Sequence, residues 1–273
     1  MEVFVSEAAA FFSDDLLFYK LVFGVIFGAL LVLTGVGGGV LLIPVLQVGF
    51  GMSAVVAVGT ASLIATLVKA QAAFTHVANK NVEWPAIRWL LLSAIPLALI
   101  TSQAIVQLNT SVSFVTHINA AVEWLIIIVM VAALLSLTRD RRRREKTAVK
   151  KSSSQYRTNS ICSGAVGGVL LGSTGIGGGV VLLPLLSGPI GVDVRKAIGS
   201  SVVISLCLSM VTAISFNAKS LNDLPTAGLI VFGSLAGTVA ASKIMKKLSN
   251  KQLYTLTTLV LLISLAIQLS TQL

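Results

Sequence analysis

The chain has 273 residues, of which 55% are apolar and only 11% are charged, and its formal net charge is +10. A water-soluble domain carries about 25% charged residues, so this composition excludes a soluble globular protein and predicts one that crosses a membrane. The basic charge does not indicate nucleic-acid binding, because it lies in short gaps between apolar runs and no aromatic-interleaved basic patch accompanies it.

The first half contains four apolar runs. They follow an acidic N-terminal stretch that lacks the basic region of a secretory signal peptide. The first run, residues 16–50, is interrupted by the sequence TGVGGG at Thr34–Gly39. Residues 53–79, 86–108 and 114–138 form the other three. Each run has about the 20 residues that a helix needs to cross a bilayer.

A strongly basic segment, residues 139–159, separates the two halves. Between Arg139 and Arg157 it contains nine basic and two acidic residues. This segment is too polar to be buried, so we predict a solvated linker. The positive-inside rule assigns it to the cytoplasmic side of the membrane.

The second half repeats the layout of the first. Its runs are residues 160–187, 197–218, 225–242 and 252–270, and the first is interrupted by TGIGGG at Thr174–Gly179. With an offset of 140, residues 28–46 and 168–186 match at 12 of 19 positions. Such self-similarity indicates two copies of one unit. The sequence therefore predicts an all-α polytopic membrane protein with about eight hydrophobic segments in two homologous four-segment repeats, residues 1–138 and 160–273, each with a glycine-broken first segment.

The loop charges favour an inverted relation between the repeats. If each broken segment enters and leaves on the same side, then the linker, the loop 79–88 and the lysine-rich turn 243–251 are all cytoplasmic, as the positive-inside rule requires. If each broken segment crosses once, the lysine-rich turn lies outside. Inverted repeats are a common transporter design.

The two glycine breaks are the predicted binding site. Four glycines in six residues make a poor helix interior, and Pro44 and Pro184 each remove a backbone donor. Irregular backbone at membrane depth is tolerated only where protein buries it or water lines it, and helix starts present N–H groups to anions. Close packing of helices through small residues is the competing interpretation. A nucleotide site is excluded, since the breaks lack the GK[ST] of a phosphate-binding loop.

These motifs resemble the sulfite exporter TauE/SafE family. The resemblance lies in TGVGGGVLLIP and TGIGGGVVLLP, each followed by A-x-G-[TS] at Ala57–Thr60 and Ala197–Ser200, and it extends over essentially the whole chain. It implies a transporter in the cytoplasmic (inner) membrane of a prokaryote. The implied substrates are sulfite, sulfonates and related small organic anions.

We therefore predict a secondary transporter that binds a small anion between the two breaks, with a proton or sodium ion as a candidate coupling partner and with no cofactor, metal or catalytic residue. Lys69 lies well inside an apolar run and is the predicted counter-charge, because intramembrane ionisable residues are usually functional. Glu123 is a candidate for proton coupling and His76 for a proton or substrate group. The predicted substrate-binding residues are Thr34, Gly35, Gly37, Gly38, Gly39, Thr60, Lys69, Thr174, Gly175, Gly177, Gly178, Gly179 and Ser200.

Three other functions are weighed. A membrane scaffold or biogenesis subunit would use the glycines to pack against a partner protein. A cation carrier would turn unwound carbonyls, rather than N–H groups, toward its ligand. An intramembrane enzyme is disfavoured, because the sequence has no HExxH motif and no paired carboxylates at useful spacing. The oligomeric state does not follow from the sequence.

Overall fold

The computed structural model describes residues 17–34, 39–111, 113–143, 153–176, 178–245 and 250–270. Over these residues the chain is helical and contains no strand, which confirms the all-α prediction. The first half forms α1 (Leu17–Thr34), α2 (Gly39–Phe50), α3 (Ala54–Ala78), α4 (Trp84–Asn109) and α5 (Val115–Arg143). The second half forms α6 (Ser153–Thr174), α7 (residues 178–190), α8 (Val194–Asn217), α9 (Leu224–Met245) and α10 (Asn250–Ser270).

Each glycine-broken run contains two helices, so every half has five described helices where four apolar runs were predicted. Pro44 lies inside α2, and α7 has wide π-helical turns at Gly178–Leu182 and Leu186–Ile190. Proline lacks the N–H that a regular turn needs, and the turns adjust around it. Helices α5 and α6 extend into both ends of the predicted linker 139–159, and residues 144–152 lie outside the described ones. The predicted domain boundaries remain a prediction.

The chain is a multi-pass membrane protein by the length and composition of its helices. Within the described ranges, five helical stretches are long and apolar enough to cross a membrane: Ala54–Ala78, Trp84–Asn109, Val115–Leu135, Lys196–Asn217 and Leu224–Ala241. Leu17–Leu33, Val40–Phe50 and Thr255–Ser270 are shorter apolar helices. Large apolar side chains such as Phe74 and Phe232 are more than 70% exposed, whereas many serines and threonines are buried. This distribution fits a protein whose solvent is lipid.

The corresponding helices α3 and α8 pack against each other in opposite directions. A Cβ atom built on Gly59, near the start of α3, would lie 2.1 Å from the carbonyl oxygen of Leu221, just beyond the end of α8. A Cβ atom on Gly199, near the start of α8, would lie 1.9 Å from the carbonyl oxygen of Asn81, just beyond the end of α3. The beginning of each helix thus meets the end of the other, so the pair is antiparallel.

Two further extensive helix–helix contacts also join the two halves. Helix α1 lies along α9, and α4 lies along α6. A Cβ atom on Gly28 would be 2.2 Å from the carbonyl oxygen of Ser234, and one on Gly168 would be 2.4 Å from that of Ala94. These four positions are two pairs 140 residues apart, so the two contacts are equivalent. Small residues let the backbones approach this closely, as is usual for helices packed in membranes.

Because helices of one half pack on helices of the other, the two apolar cores each contain residues from both halves. The first combines α1, α2, α3 and α5 with Ile176, Phe216 and residues of α9 and α10. The second combines α4 with α6, α7 and α8. Neither half therefore encloses a core of its own.

Helices α6 and α7 form an antiparallel pair on either side of the second break. The Nδ2 of Asn159, near the start of α6, donates a hydrogen bond to the carbonyl oxygen of Pro189, near the end of α7. Closer to the break, a Cβ atom on Gly167 would lie 2.9 Å from a methyl group of Leu182. The chain thus doubles back at the break.

Replacing Gly28 by alanine should destabilise the folded protein, because the new methyl group would collide with the backbone of Ser234. Overpacking of this kind typically costs about 1–3 kcal/mol. We expect a lower unfolding temperature for the detergent-solubilised Gly28→Ala variant in a thermal-shift measurement, and the same for Gly168→Ala.

Gly228→Ala is the matched control. Gly228 also lies in a packed helix, α9, but a Cβ atom there would have no heavy atom within 4 Å. Alanine is a better helix former than glycine by about 1 kcal/mol, so this variant should unfold at the same or a higher temperature. An equal loss of stability in Gly28→Ala and Gly228→Ala would contradict the packing of α1 on α9.

Candidate functional site

The second break is a helix end closed by its own threonine and glycine. The Oγ1 of Thr174 donates to the carbonyl oxygen of Leu170 at 2.6 Å and accepts from the N–H of Ile176 at 3.1 Å. Gly175 has a φ of +64°, and its N–H donates to the carbonyl oxygen of Leu171 at 2.9 Å. This is a left-handed cap, which glycine adopts without strain. The local sequence thus ends α6 here.

The cap decides which predicted amides remain available at the second break. The N–H groups of Gly175 and Ile176 are engaged within the chain. Gly178 and Gly179 begin α7, and the first N–H groups of a helix have no partner within it. Gly177 lies outside the described residues. The donors left for a ligand in the described part of this break are therefore Gly178 and Gly179.

The first break is mostly outside the described part of the chain. Gly35, Gly37 and Gly38 lie there, together with Val36. Thr34 ends α1 and Gly39 begins α2, but the side chain of Thr34 is not among those described. Ligand binding by these five site residues remains a prediction.

The second break lies against α3 of the first half. A Cβ atom on Gly175 would be 3.0 Å from the Oγ of Ser62 and 3.4 Å from Val58. Ser62 is fully buried, and its Oγ has no hydrogen-bond partner among the residues that the structure describes. Ser62 is not among the site residues predicted from the sequence. Its spacing of seven residues from Lys69, which places both on one face of α3, could have indicated it.

Lys69 is buried near the middle of the α3–α8 pair. Its side chain is 5% exposed, and no ion pair or hydrogen bond to it occurs among the described residues. The two close contacts of this pair involve Gly59 and Asn81, and residue 70 lies halfway between them. The matching residue on α8, Ser209, is buried as well, but its hydroxyl donates to the carbonyl oxygen of Leu206. A lone ammonium group is thus held at mid-depth.

Thr60 and Ser200 form equivalent links at opposite ends of the α3–α8 pair. The Oγ1 of Thr60 accepts a hydrogen bond from the N–H of Asp223, directly before α9, at 2.9 Å. The Oγ of Ser200 accepts one from the N–H of Glu83, directly before α4, also at 2.9 Å. Both hydroxyl-bearing residues are fully buried. The structure therefore brings neither of them next to Gly175, and each connects the two halves.

Two further polar contacts join segments that are distant in sequence. The Nζ of Lys196 lies 2.8 Å from the Oε2 of Glu83, which reinforces the link at Ser200. The Nε2 of Gln47, in α2, donates to the Oε1 of Glu123 at 3.3 Å. Glu123 thus lies beside the helix that follows the first break.

Comparison with known proteins covers nearly the whole chain. A sequence model of the family described as sulfite exporter TauE/SafE matches residues 20–269. The probable membrane transporter protein YjnA of Bacillus subtilis (strain 168) is 25% identical over 245 residues, which are 88% of this chain and 95% of that protein. No solved structure gives a significant match. The matched range includes both breaks and all the described helices. Only the start of α1 and the last residue of α10 extend beyond it.

Replacing Thr60 by valine should destabilise the protein, because the buried N–H of Asp223 would lose its acceptor. A buried donor left unpaired costs about 1–3 kcal/mol. We expect a lower unfolding temperature for Thr60→Val and for Ser200→Ala, whereas Thr60→Ser, which keeps the hydroxyl, should stay close to wild type. Lost substrate binding in Thr60→Val with an unchanged unfolding temperature would instead assign the hydroxyl to the ligand.

Proposed function

The chain belongs to the sulfite exporter TauE/SafE family and is a membrane transporter, and from this premise we propose that it is a secondary transporter of small anions. Its substrate is sulfite, a sulfonate or a related organic anion, and the substrate binds where the second break meets α3. The proposal makes Lys69 the counter-charge and the amides at the breaks the hydrogen-bond donors.

The proposal rests on the burial of Lys69 without an ion-pair partner among the described residues. A cation in a transmembrane helix is costly and is usually paired or functional. Lys69 is buried, and the described residues supply no ion pair to balance it. An anion that enters from either side would supply the missing charge, and a cation would be repelled. The same position therefore argues against the cation carrier.

The amides at the breaks orient the anion through hydrogen bonds and do not balance its charge. At the second break, Gly178 and Gly179 donate to the oxygens of the anion, while Thr174 and Gly175 hold the end of α6 in shape. By the duplication of the sequence, Gly35–Gly39 and Thr34 make the corresponding cap and donors at the first break. Thr60 and Ser200 keep the ends of α3 and α8 attached to the other half and have no direct contact with the substrate in this proposal.

The two halves are inverted repeats in this proposal, and alternating access follows from their packing. The antiparallel α3–α8 pair and the doubling back of α6 onto α7 support this relation. Because α1 packs on α9 and α4 on α6, the halves cannot rock as separate bodies. The moving units are instead the two helix groups that share a core, and the anion lies between them.

The membrane orientation follows from the charges of the loops. The basic linker 139–159, the loop 79–88 and the turn 243–251 face the cytoplasm of a prokaryotic cell, and the protein lies in the inner membrane. An ion gradient, of protons or sodium, drives transport.

Lys69→Gln should abolish or strongly weaken transport of labelled sulfite into liposomes that contain the purified protein. Removal of a charged hydrogen-bonding group weakens binding by roughly tenfold or more. Lys243→Gln is the matched control, because Lys243 is exposed at the end of α9, and this variant should transport as the wild type does.

The outcome separates three functions. A scaffold would move no sulfite or sulfonate even as the wild-type protein. A cation carrier would keep or improve its affinity when Lys69 becomes glutamine. Equal transport by wild type and Lys69→Gln would remove Lys69 from the site.

A further inference from the structure

Among the described residues, Ser62 is the one serine whose fully buried hydroxyl has no hydrogen-bond partner. In a helix, serine normally donates to a carbonyl three or four residues earlier. Ser201, Ser205 and Ser209 on α8 all do so, with distances of 2.8–3.1 Å. The Oγ of Ser62 makes no such bond, although the residue is fully buried. A buried hydroxyl without a partner is costly, so the missing partner requires an explanation.

The unpartnered hydroxyl faces the second break. It lies 3.0 Å from the position of a Cβ atom on Gly175, the residue whose left-handed conformation ends α6. A side chain on residue 175 would fill this space, and glycine leaves it open. Gly178 and Gly179 follow Gly175 by three and four residues and begin the next helix.

Ser62 and Lys69 lie on the same face of α3. Seven residues are two helical turns, or about 10 Å along the axis. Side chains on an α-helix lean toward its N-terminus, so the long side chain of Lys69 leans toward the turn that carries Ser62. An oxyanion beside the break is thus within reach of both groups.

The equivalent face of α8 lacks these groups. The residue that corresponds to Ser62 is Val202, and the one that corresponds to Lys69 is Ser209, whose hydroxyl already donates to Leu206. The charge and the unpartnered hydroxyl are therefore both on α3. Only one of the two helices therefore supplies a charge near the centre of the pair, and a ligand with one charged group matches this arrangement.

Among the described helices, Lys69 is the one lysine or arginine that lies far from a helix end. Every other lysine and arginine in the described helices lies within five residues of a helix end. A doubly charged anion would keep one uncompensated negative charge in a medium where such a charge is very costly. One ammonium group balances one negative charge.

We propose that Ser62 is a substrate-binding residue of a one-sided site for a singly charged oxyanion head group, of the type R–SO3⁻. Its hydroxyl donates to one head-group oxygen, the amides of the second break donate to others, and Lys69 balances the charge. This inference rests on the proposed transport function and adds the residue and the charge state that select the substrate.

The test uses the full-length protein in liposomes at a mildly acidic pH, where the labelled sulfite probe is mostly the monoanion HSO3⁻, together with two unlabelled competitors. Methanesulfonate carries one negative charge and methanedisulfonate carries two. In the wild type, methanesulfonate should inhibit uptake at a concentration at least tenfold below that of methanedisulfonate. Equal inhibition by the two competitors would overturn the charge selection.

Ser62→Ala tests the hydroxyl itself. Loss of a hydrogen bond to a charged ligand should raise the methanesulfonate concentration for half-inhibition roughly 10- to 100-fold. Ser62→Thr keeps the hydroxyl and should stay near wild type. Ser205→Ala is the matched control, since it removes a buried serine hydroxyl that is already bonded within α8.

Stability provides the second measurement. The hydroxyl of Ser62 has no partner in the described part of the chain, so Ser62→Ala should unfold at the same or a higher temperature than wild type while binding more weakly. Weaker inhibition together with a lower unfolding temperature would assign Ser62 to packing. If wild-type protein moves no sulfite, the transport function itself fails; if wild type transports and Ser62→Ala is inhibited equally well, only the present inference fails.

Discussion

The close approach of α3 and α8 determines where every candidate group of this protein lies. Gly59 and Gly199 allow the start of each helix to touch the backbone beyond the end of the other. The hydroxyls of Thr60 and Ser200 then hold the two ends through the N–H groups of Asp223 and Glu83. Because the two helices are equivalent and antiparallel, one residue of each lies at the centre of the pair. In this chain the residue on α3 is Lys69, and its burial follows from that position.

The second break depends on this pair as well. Backbone that leaves a helix inside a membrane must be satisfied by protein or by a polar cavity. Thr174 and Gly175 satisfy part of it locally, and α3 covers the turn through Val58 and Ser62. Ser62, which touches this turn, lies on the same face of α3 as Lys69. In the proposed anion site, the helix end and the buried cation belong to different halves of the chain.

The packing of helices across the two halves determines which groups of helices can move together. In a membrane, helices associate through close packing, because lipid is as apolar as their side chains. Close glycine contacts join α1 with α9 and α4 with α6, and both cross between the halves. A conformational change that keeps these contacts must move groups of helices drawn from both halves. The α3–α8 interface, which carries the candidate site, lies between these groups.

The sequence alone determined the membrane class, the duplication and the two helix breaks, because these depend on composition, on self-similarity and on the local properties of glycine and proline. It also singled out Lys69, since a lysine within an apolar run is exceptional wherever that run packs. Only the tertiary structure separated the roles of the hydroxyl groups. Thr60 pairs with Asp223, which is 163 residues away, and Ser62 meets Gly175, and no periodicity within α3 shows which segment faces either one. Thr60 and Ser62 lie two residues apart on one helix and both carry a hydroxyl. Their roles differ because different segments of backbone lie opposite them.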